Sequence, residues 1–223
     1  MNILIVAPHA DDEVLGCGGI MAKYSAVGHH VYVAIMTNAH LGDAELFSIE
    51  GIKAVREEAL KAHDLLGIKE TFFYDFPAPR LDTSPAYQIS NELCELYNKL
   101  KIDILYLPHR GDIHKDHTII FNAGLVAARP INGCSVRTIL TYETLSETEW
   151  AAPFGSDVFI PNVYELINEY LSLKINAMKF FISQLKQFPH SRSLESIENL
   201  AKFRGATIGK NYAEAFALIR EIK

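Results

Sequence analysis

Apolar runs of strand length recur along the chain at residues 3–7, 31–36, 71–76, 102–107 and 137–142. Between them, residues 15–27, 49–66, 86–100 and 118–128 place apolar side chains at helical spacing, and several of these segments stop at Gly28, Gly67 or Arg129-Pro130. Strand and helix in alternation is the rhythm of βαβ units, which predicts a parallel sheet covered by helices on both faces. Past residue 143 the alternation weakens. A loop at 150–155 precedes a stretch that reads as one long amphipathic helix from about 163 to 187, and residues 212–222 fit strand or helix equally.

No Gly/Ser-rich linker, low-complexity tract or repeat divides the chain. The expectation is one α/β domain over residues 1–223, a Rossmann-like three-layer sandwich with a mostly parallel sheet, in which residues 143–223 form a C-terminal helical cap. A length of 223 residues with 49% hydrophobic content suffices for one large core. The net charge of −6, from 21 basic and 27 acidic residues, argues against nucleic acid or an anionic lipid surface as partner. The opening Met1-Asn2-Ile3-Leu4-Ile5-Val6 lacks the basic segment and cleavage site of a secretory signal. Lys174 and Lys179 interrupt the best candidate for the ~18 apolar residues of a membrane span, so a cytoplasmic location is expected. Cys17, Cys94 and Cys134 form no Cys-x-x-Cys pair and are expected to be buried free thiols.

Open parallel sheets bind ligands beyond the carboxyl ends of their strands, so the residues that follow the apolar runs are where chemistry is expected. After the first run comes Pro8-His9-Ala10-Asp11-Asp12-Glu13, and after the fourth comes Pro108-His109-Arg110-Gly111-Asp112-Ile113-His114-Lys115-Asp116-His117. Imidazole nitrogen and carboxylate oxygen suit a divalent ion such as zinc, which catalytic sites typically hold with three protein ligands and an open position for water. His9, Asp12 and His117 can supply that set once adjacent strands bring the clusters together. Taken alone, Asp11, Asp12 and Glu13 also suit a helix start, where carboxylates interact with the macrodipole. The second cluster is harder to read as a plain solvated loop, because five of its nine residues from His109 to His117 are ligand or proton-transfer types.

The two clusters resemble the signatures of the PIG-L/LmbE-like deacetylases, Pro-His-Pro-Asp-Asp-Glu near the N-terminus and His-Pro-Asp-His in mid-chain. Weaker likeness continues through Arg56 with Glu57-Glu58 before Leu66-Gly67, Tyr142-Glu143, Lys174 with Ser183-Gln184, and Arg204-Gly205 with Tyr212-Ala213-Glu214-Ala215-Phe216. Ala10 and Lys115 stand where the signatures have proline, which loosens the loops and leaves the functional side chains in place. The resemblance implies a zinc-dependent N-deacetylase acting on an amino-sugar substrate. His9, Asp12 and His117 would hold Zn2+, with Fe2+ or another divalent transition metal as the alternative. Asp11 would be the general base, His114 the protonated partner of the oxyanion, and Asp116 the residue that orients His114. Arg56 is implied as a contact to a sugar or anionic group, against a surface salt bridge to Glu57 or Glu58. Arg110 and Asp112 are expected at the pocket rim from their place in the chain. The expected partner is a small N-acetylated saccharide or glycoconjugate, and a homo-oligomer is compatible with the resemblance.

Two other readings compete. Gly16-Cys17-Gly18-Gly19 suggests a nucleotide-binding module, but a dinucleotide fingerprint needs its glycines at the strand-to-helix turn, which the acidic cluster occupies. His/Asp clusters also build two-metal phosphoesterase sites, although one complete triad is visible here. His29, His30, His40 and His63 lack partner spacing and are assigned no role. His109 is expected near the pocket, and His190 is expected to reach it from the cap.

Overall fold

The computed structural model describes residues 1–131 and 133–223. The five apolar runs form β1 (Asn2–Ala7), β2 (His30–Asn38), β3 (Glu70–Pro77), β4 (Ile104–Pro108) and β5 (Thr138–Tyr142). All five are parallel, in the order β3-β2-β1-β4-β5. Successive strand side chains point to opposite faces, and here both faces are apolar: Ile3, Ile5 and Ala7 enter one core, Leu4 and Val6 the other. Burial on both sides is why these strands read as continuous apolar runs.

Helices α1 (Asp12–Ala26) and α3 (Ile49–Leu66) cover the first face, and a single turn, α2 (Ala39–Gly42), leads from β2 toward α3. Helices α4 (Ala86–Leu100) and α5 (Lys115–Ala127) cover the second face. The ends of α3 follow from its sequence. Ser48 Oγ accepts the Gly51 N–H at 3.0 Å, and Gly67 closes the helix at φ 73°, a left-handed conformation that glycine adopts without penalty.

The C-terminal part departs from expectation. Residues 163–187 do not form one helix: Val163–Leu166 is strand β6, and the helix, α6, spans only Leu171–Met178. Val163, Leu166, Ile167 and Leu171 have helical spacing in the sequence, but pairing with β7 (Ala213–Glu221) overrides it. Beyond α6 the chain turns and buries Phe181 in the core of the first face. Strand β7 lies antiparallel between β5 and β6, so the ambiguous segment 212–222 is a strand and the sheet has seven strands. The C-terminal part therefore completes the sheet as well as capping it, with α6 and α7 (Leu194–Thr207) packed on the first face.

Gly16-Cys17-Gly18-Gly19 sits inside α1, where its task is close packing. A Cβ on Gly16 would overlap the Tyr142 ring, and one on Gly19 would come within 2.7 Å of Ile167. Beside them Lys174 Nζ donates to the Leu15 carbonyl (2.7 Å) and to Glu214 Oε1 (2.6 Å), and Glu214 accepts the N–H groups of Gly19 and Ile20, each at 2.8 Å. In a regular helix Leu15 C=O and Gly19 N–H would pair with each other, so a buried ion pair serves both ends of that link. Cys17 is buried as expected, whereas Cys94 and Cys134 are half-buried, and all three are free. No helix among the described residues is long and apolar enough to cross a membrane.

Candidate active site

In this sheet the strand order reverses between β1 and β4, and a crevice at such a switch point is where open α/β sheets place ligands. The loop after β1 bears His9 and Asp11, and Asp12 opens α1. The loop after β4 leads to α5, whose N-cap is His114. His114 Nδ1 accepts the Asp116 N–H at 3.2 Å, and Lys115 occupies the first helical position, where proline is favoured.

His9, Asp12 and His117 each offer a ligand atom, all within 4.8 Å of one another. Asp12 Oδ2 lies 3.3 Å from both His9 Nδ1 and His117 Nε2 and also accepts the His9 backbone N–H at 2.9 Å. Asp12 Oδ1 and His117 Nε2 are buried and without a hydrogen-bond partner. Buried polar atoms are rarely left unpaired, and two imidazoles with one carboxylate form a donor set that suits a borderline divalent ion. On both grounds the residues fit a metal. The far side of His117 is already arranged for it: Nδ1 is 2.7 Å from Asp112 Oδ2, and Asp112 Oδ1 accepts from Thr148 Oγ1 at 2.6 Å. A carboxylate behind a ligating imidazole fixes its tautomer and aims the other nitrogen. Asp112 is thus buried behind His117, deeper than the rim position expected from the sequence. A second set, His9, His114 and Asp116, also converges within 4.8 Å. In it Asp116 Oδ2 bonds His9 Nε2 (3.1 Å) and stands 3.9 Å from His114 Nδ1.

The electrostatics follow from burial and close carboxylates. Burial opposes charge on His9, but Asp116 and Asp12 overcome it and push its pKa up to about 9. At His117 burial again opposes, and Asp12 with Asp112 raises the pKa to about 10. Burial disfavours ionised Asp12 as well, yet His117 and His9 hold its carboxyl well below the usual range. A cation and the two imidazole protons therefore compete for the same lone pairs. His114 differs: burial, then the charge of His9, lowers its pKa to about 4. Because its Nδ1 accepts a backbone N–H, the neutral ring carries its proton on Nε2. That tautomer replaces the protonated His114 expected from the sequence.

Asp11 is buried beside the triad at φ 119°, a conformation rare for a residue with a Cβ. Its backbone N–H donates to Glu13 Oε2 (3.1 Å), Glu13 Oε1 lies 2.9 Å from His63 Nε2, and His63 Nδ1 lies 2.8 Å from Thr71 Oγ1. A buried chain from α3 and β3 thereby braces the strained residue. Arg192 Nη1 lies 3.2 Å from Asp11 Oδ2 but off the hydrogen-bonding direction, so that oxygen keeps lone-pair capacity. Burial pushes the Asp11 pKa up to about 8, with Arg192 the main opposing charge. Arg192 also reaches Glu147 Oε1 (3.3 Å), whose pKa burial raises to about 7.

These groups open into a cavity of about 450 Å³ lined by His9, Asp11, His114, Glu147, Arg192 and Arg56. Arg56 Nη2 donates to Asp75 Oδ1 (2.6 Å) and the Tyr74 carbonyl (2.9 Å), with no ion pair to Glu57 or Glu58. Arg110 lies elsewhere, bonded to the Ser156 carbonyl and Asp157 Oδ1, and His109 contacts the Asp157 carbonyl. His190 packs on Trp150, and Arg192, two residues on, reaches the cavity in its place. Sequence reasoning missed Arg192, Glu147 and His63. No local motif marks the first two, and His63 meets Glu13 only through the packing of α3 on α1.

Comparison with known proteins bears on this site. The family model for PIG-L, GlcNAc-PI de-N-acetylase, matches residues 4–128, more than half of the chain. An uncharacterized deacetylase of Escherichia coli, YaiS, is 30% identical over 187 residues, which is 80% of this chain and 89% of that protein. Diacetylchitobiose deacetylase of Thermococcus kodakarensis is 22% identical across 98% of this chain and 83% of its own. Among solved structures, N,N'-diacetylchitobiose deacetylase from Pyrococcus horikoshii superposes with TM-score 0.76 at 22% identity, covering 98% of this chain and 84% of that one. The zinc-inhibited form of teicoplanin deacetylase Orf2 gives 0.76 at 16%, covering 99% of both chains. The Pseudomonas putida hydratase GalB gives 0.80 at 17%, covering 100% of this chain and 97% of that one. At such identities a structural match speaks for the fold alone, and a hydratase shares it with deacetylases. The sequence matches are narrower, and by them the chain belongs to the PIG-L family of deacetylases.

Proposed function

We propose that the protein hydrolyses the N-acetyl amide of a small substrate containing an amino sugar, releasing acetate and a free amine. The observation that carries this reading is the convergence of His9, Asp12 and His117, with the Asp11 carboxylate buried next to them yet outside the set. A divalent ion held by those three residues, when bound, supplies an acidified water and polarises the acetyl carbonyl. Zn2+ is the first candidate and Fe2+ the second.

The remaining steps belong to the chain's own groups. Asp11 Oδ2 takes the proton as the water oxygen attacks the acetyl carbon, and the carbonyl π pair moves onto oxygen. His114, neutral with Nε2–H, donates to that oxyanion, and losing such a donor costs on the order of 100- to 1000-fold in rate. When the C–N bond breaks, its electron pair goes to nitrogen, which receives the proton held on Asp11. Asp112 and Asp116 hold the imidazoles of His117 and His9, Arg192 opposes the burial that raises the Asp11 pKa and so favours its ionised form, and Arg56 offers its free N–H groups to a sugar hydroxyl. Acetate release is measured over a panel of N-acetylated saccharides with Zn2+ and Fe2+, beside phosphoester substrates. Acetate from the saccharides supports the reading; phosphate release without acetate rejects it in favour of a phosphoesterase.

A further inference from the structure

The cavity that ends at His9, Asp11 and His114 has a lining of two kinds: Ser183, Gln184, Glu147 and Arg192 are polar or charged, and Leu46, Phe47, Ile52 and Val55 are apolar. The apolar lining extends the pattern that builds the fold. On α3, Ala59, Ala62 and Leu66 bury against the sheet, and the same stripe runs back through Val55 and Ile52 to the stretch where cavity replaces core. Leu46 and Phe47 stand beside it on a braced turn. Asp43 Oδ1 accepts the N–H groups of Glu45 and Leu46, each at 3.1 Å, and His40 Nδ1 donates to the Phe47 carbonyl at 2.7 Å. That turn holds Leu46 at 76% and Phe47 at 40% exposure against the cavity, an apolar surface that a ligand would cover.

Charge points the same way. Among the described residues lining the cavity there is no lysine, and both guanidiniums are balanced: Arg56 by Asp75 (2.6 Å), Arg192 by Asp11 (3.2 Å) and Glu147 (3.3 Å). A substrate phosphate or carboxylate would find no unpaired arginine or lysine along this lining.

We propose that the substrate is an uncharged amphiphile, an N-acetylated amino sugar whose alkyl or aryl aglycone lies on Leu46, Phe47, Ile52 and Val55. This rests on the deacetylase reading above, and the test separates the two. Binding of methyl, butyl and hexyl β-glucosides, which have no amide to hydrolyse, is measured by calorimetry on the metal-loaded protein. Acetate release is measured from the matching N-acetylglucosaminides and from N-acetylglucosamine 1-phosphate. One fully buried methylene tightens binding about fourfold, the equivalent of about 0.8 kcal/mol. The expected result is a Kd that falls at least about tenfold from methyl to hexyl, a matching rise in kcat/KM, and no preference for the phosphate. Replacing Leu46→Ser together with Phe47→Ser flattens the dependence on chain length. A flat series for the unaltered protein, or a preference for the anionic sugar, overturns the proposal even if acetate is released. Chain-length-dependent binding without any acetate release supports the apolar subsite and overturns the deacetylase reading.

Discussion

Two clusters of buried charge flank α1, and they differ in one respect. In the Lys174–Glu214 pair both side chains have hydrogen-bond partners, among them the backbone groups of Leu15, Gly19 and Ile20. In the cluster at the ends of β1 and β4, Asp11 Oδ2, Asp12 Oδ1, Asp116 Oδ1 and His117 Nε2 are buried without one. Both place carboxylates beside buried basic side chains, so buried charge alone does not separate them. Satisfied buried charge marks architecture, and buried lone pairs left open mark a place where something else must bind.

If that distinction holds, substitutions in the two clusters fail in different ways. The largest effect is expected at the base. Asp11→Asn should lower acetate release by on the order of 10² to 10⁴ and leave metal affinity within a few-fold, as read by kinetics and metal titration of one preparation. Full activity in that variant would remove Asp11 from the mechanism. Next comes the architectural pair. Glu214→Gln strands the Lys174 charge, and urea unfolding should show a loss of about 3–5 kcal/mol, with metal affinity per folded molecule unchanged. Adding Lys174→Met should recover part of that loss, because the stranded charge goes with it. A smaller effect is expected behind the triad, where Asp112→Asn should weaken metal binding about 10- to 100-fold with little change in unfolding.

The smallest effect is a pH shift. Asp11 must be ionised to act, burial raises its pKa, and Arg192 is the main opposing charge. Arg192→Met should therefore raise that pKa further and move the acid limb of kcat/KM to higher pH by about one unit. A limb that stays in place, or moves to lower pH, would show that Arg192 does not govern the base. The raised pKa values of His9 and His117 add a separate sign. Their protons must leave before a cation binds, so metal affinity should climb with pH up to the region of about 9 to 10.

How much of this was legible in the sequence depends on how local each signal is. Strands β1 to β5 were readable because burial on both faces leaves uninterrupted apolar runs, and the helices between them because their stripes are regular. His9, Asp12 and His117 could be read together because each follows a strand whose neighbour in the sheet can be guessed. Residues 163–166 misled because helical spacing and an edge strand look alike over four residues, and only pairing with β7 decides between them. Arg192 reaches Asp11, and Glu147 reaches Arg192, from segments with no motif of their own. His63 was passed over because its partner, Glu13, lies 50 residues away, a distance that only the packed helices close.

In the proposed mechanism two imidazoles and one carboxylate hold a single cation, and Asp11 stays free. Anomalous diffraction from crystals grown with Zn2+ tests this arrangement directly. One strong peak is expected about 2.0–2.2 Å from a nitrogen of His9, an oxygen of Asp12 and Nε2 of His117, with Asp11 outside bonding distance. A peak that takes Asp11 as a ligand, or one that leaves out His9 or His117, would contradict the mechanism.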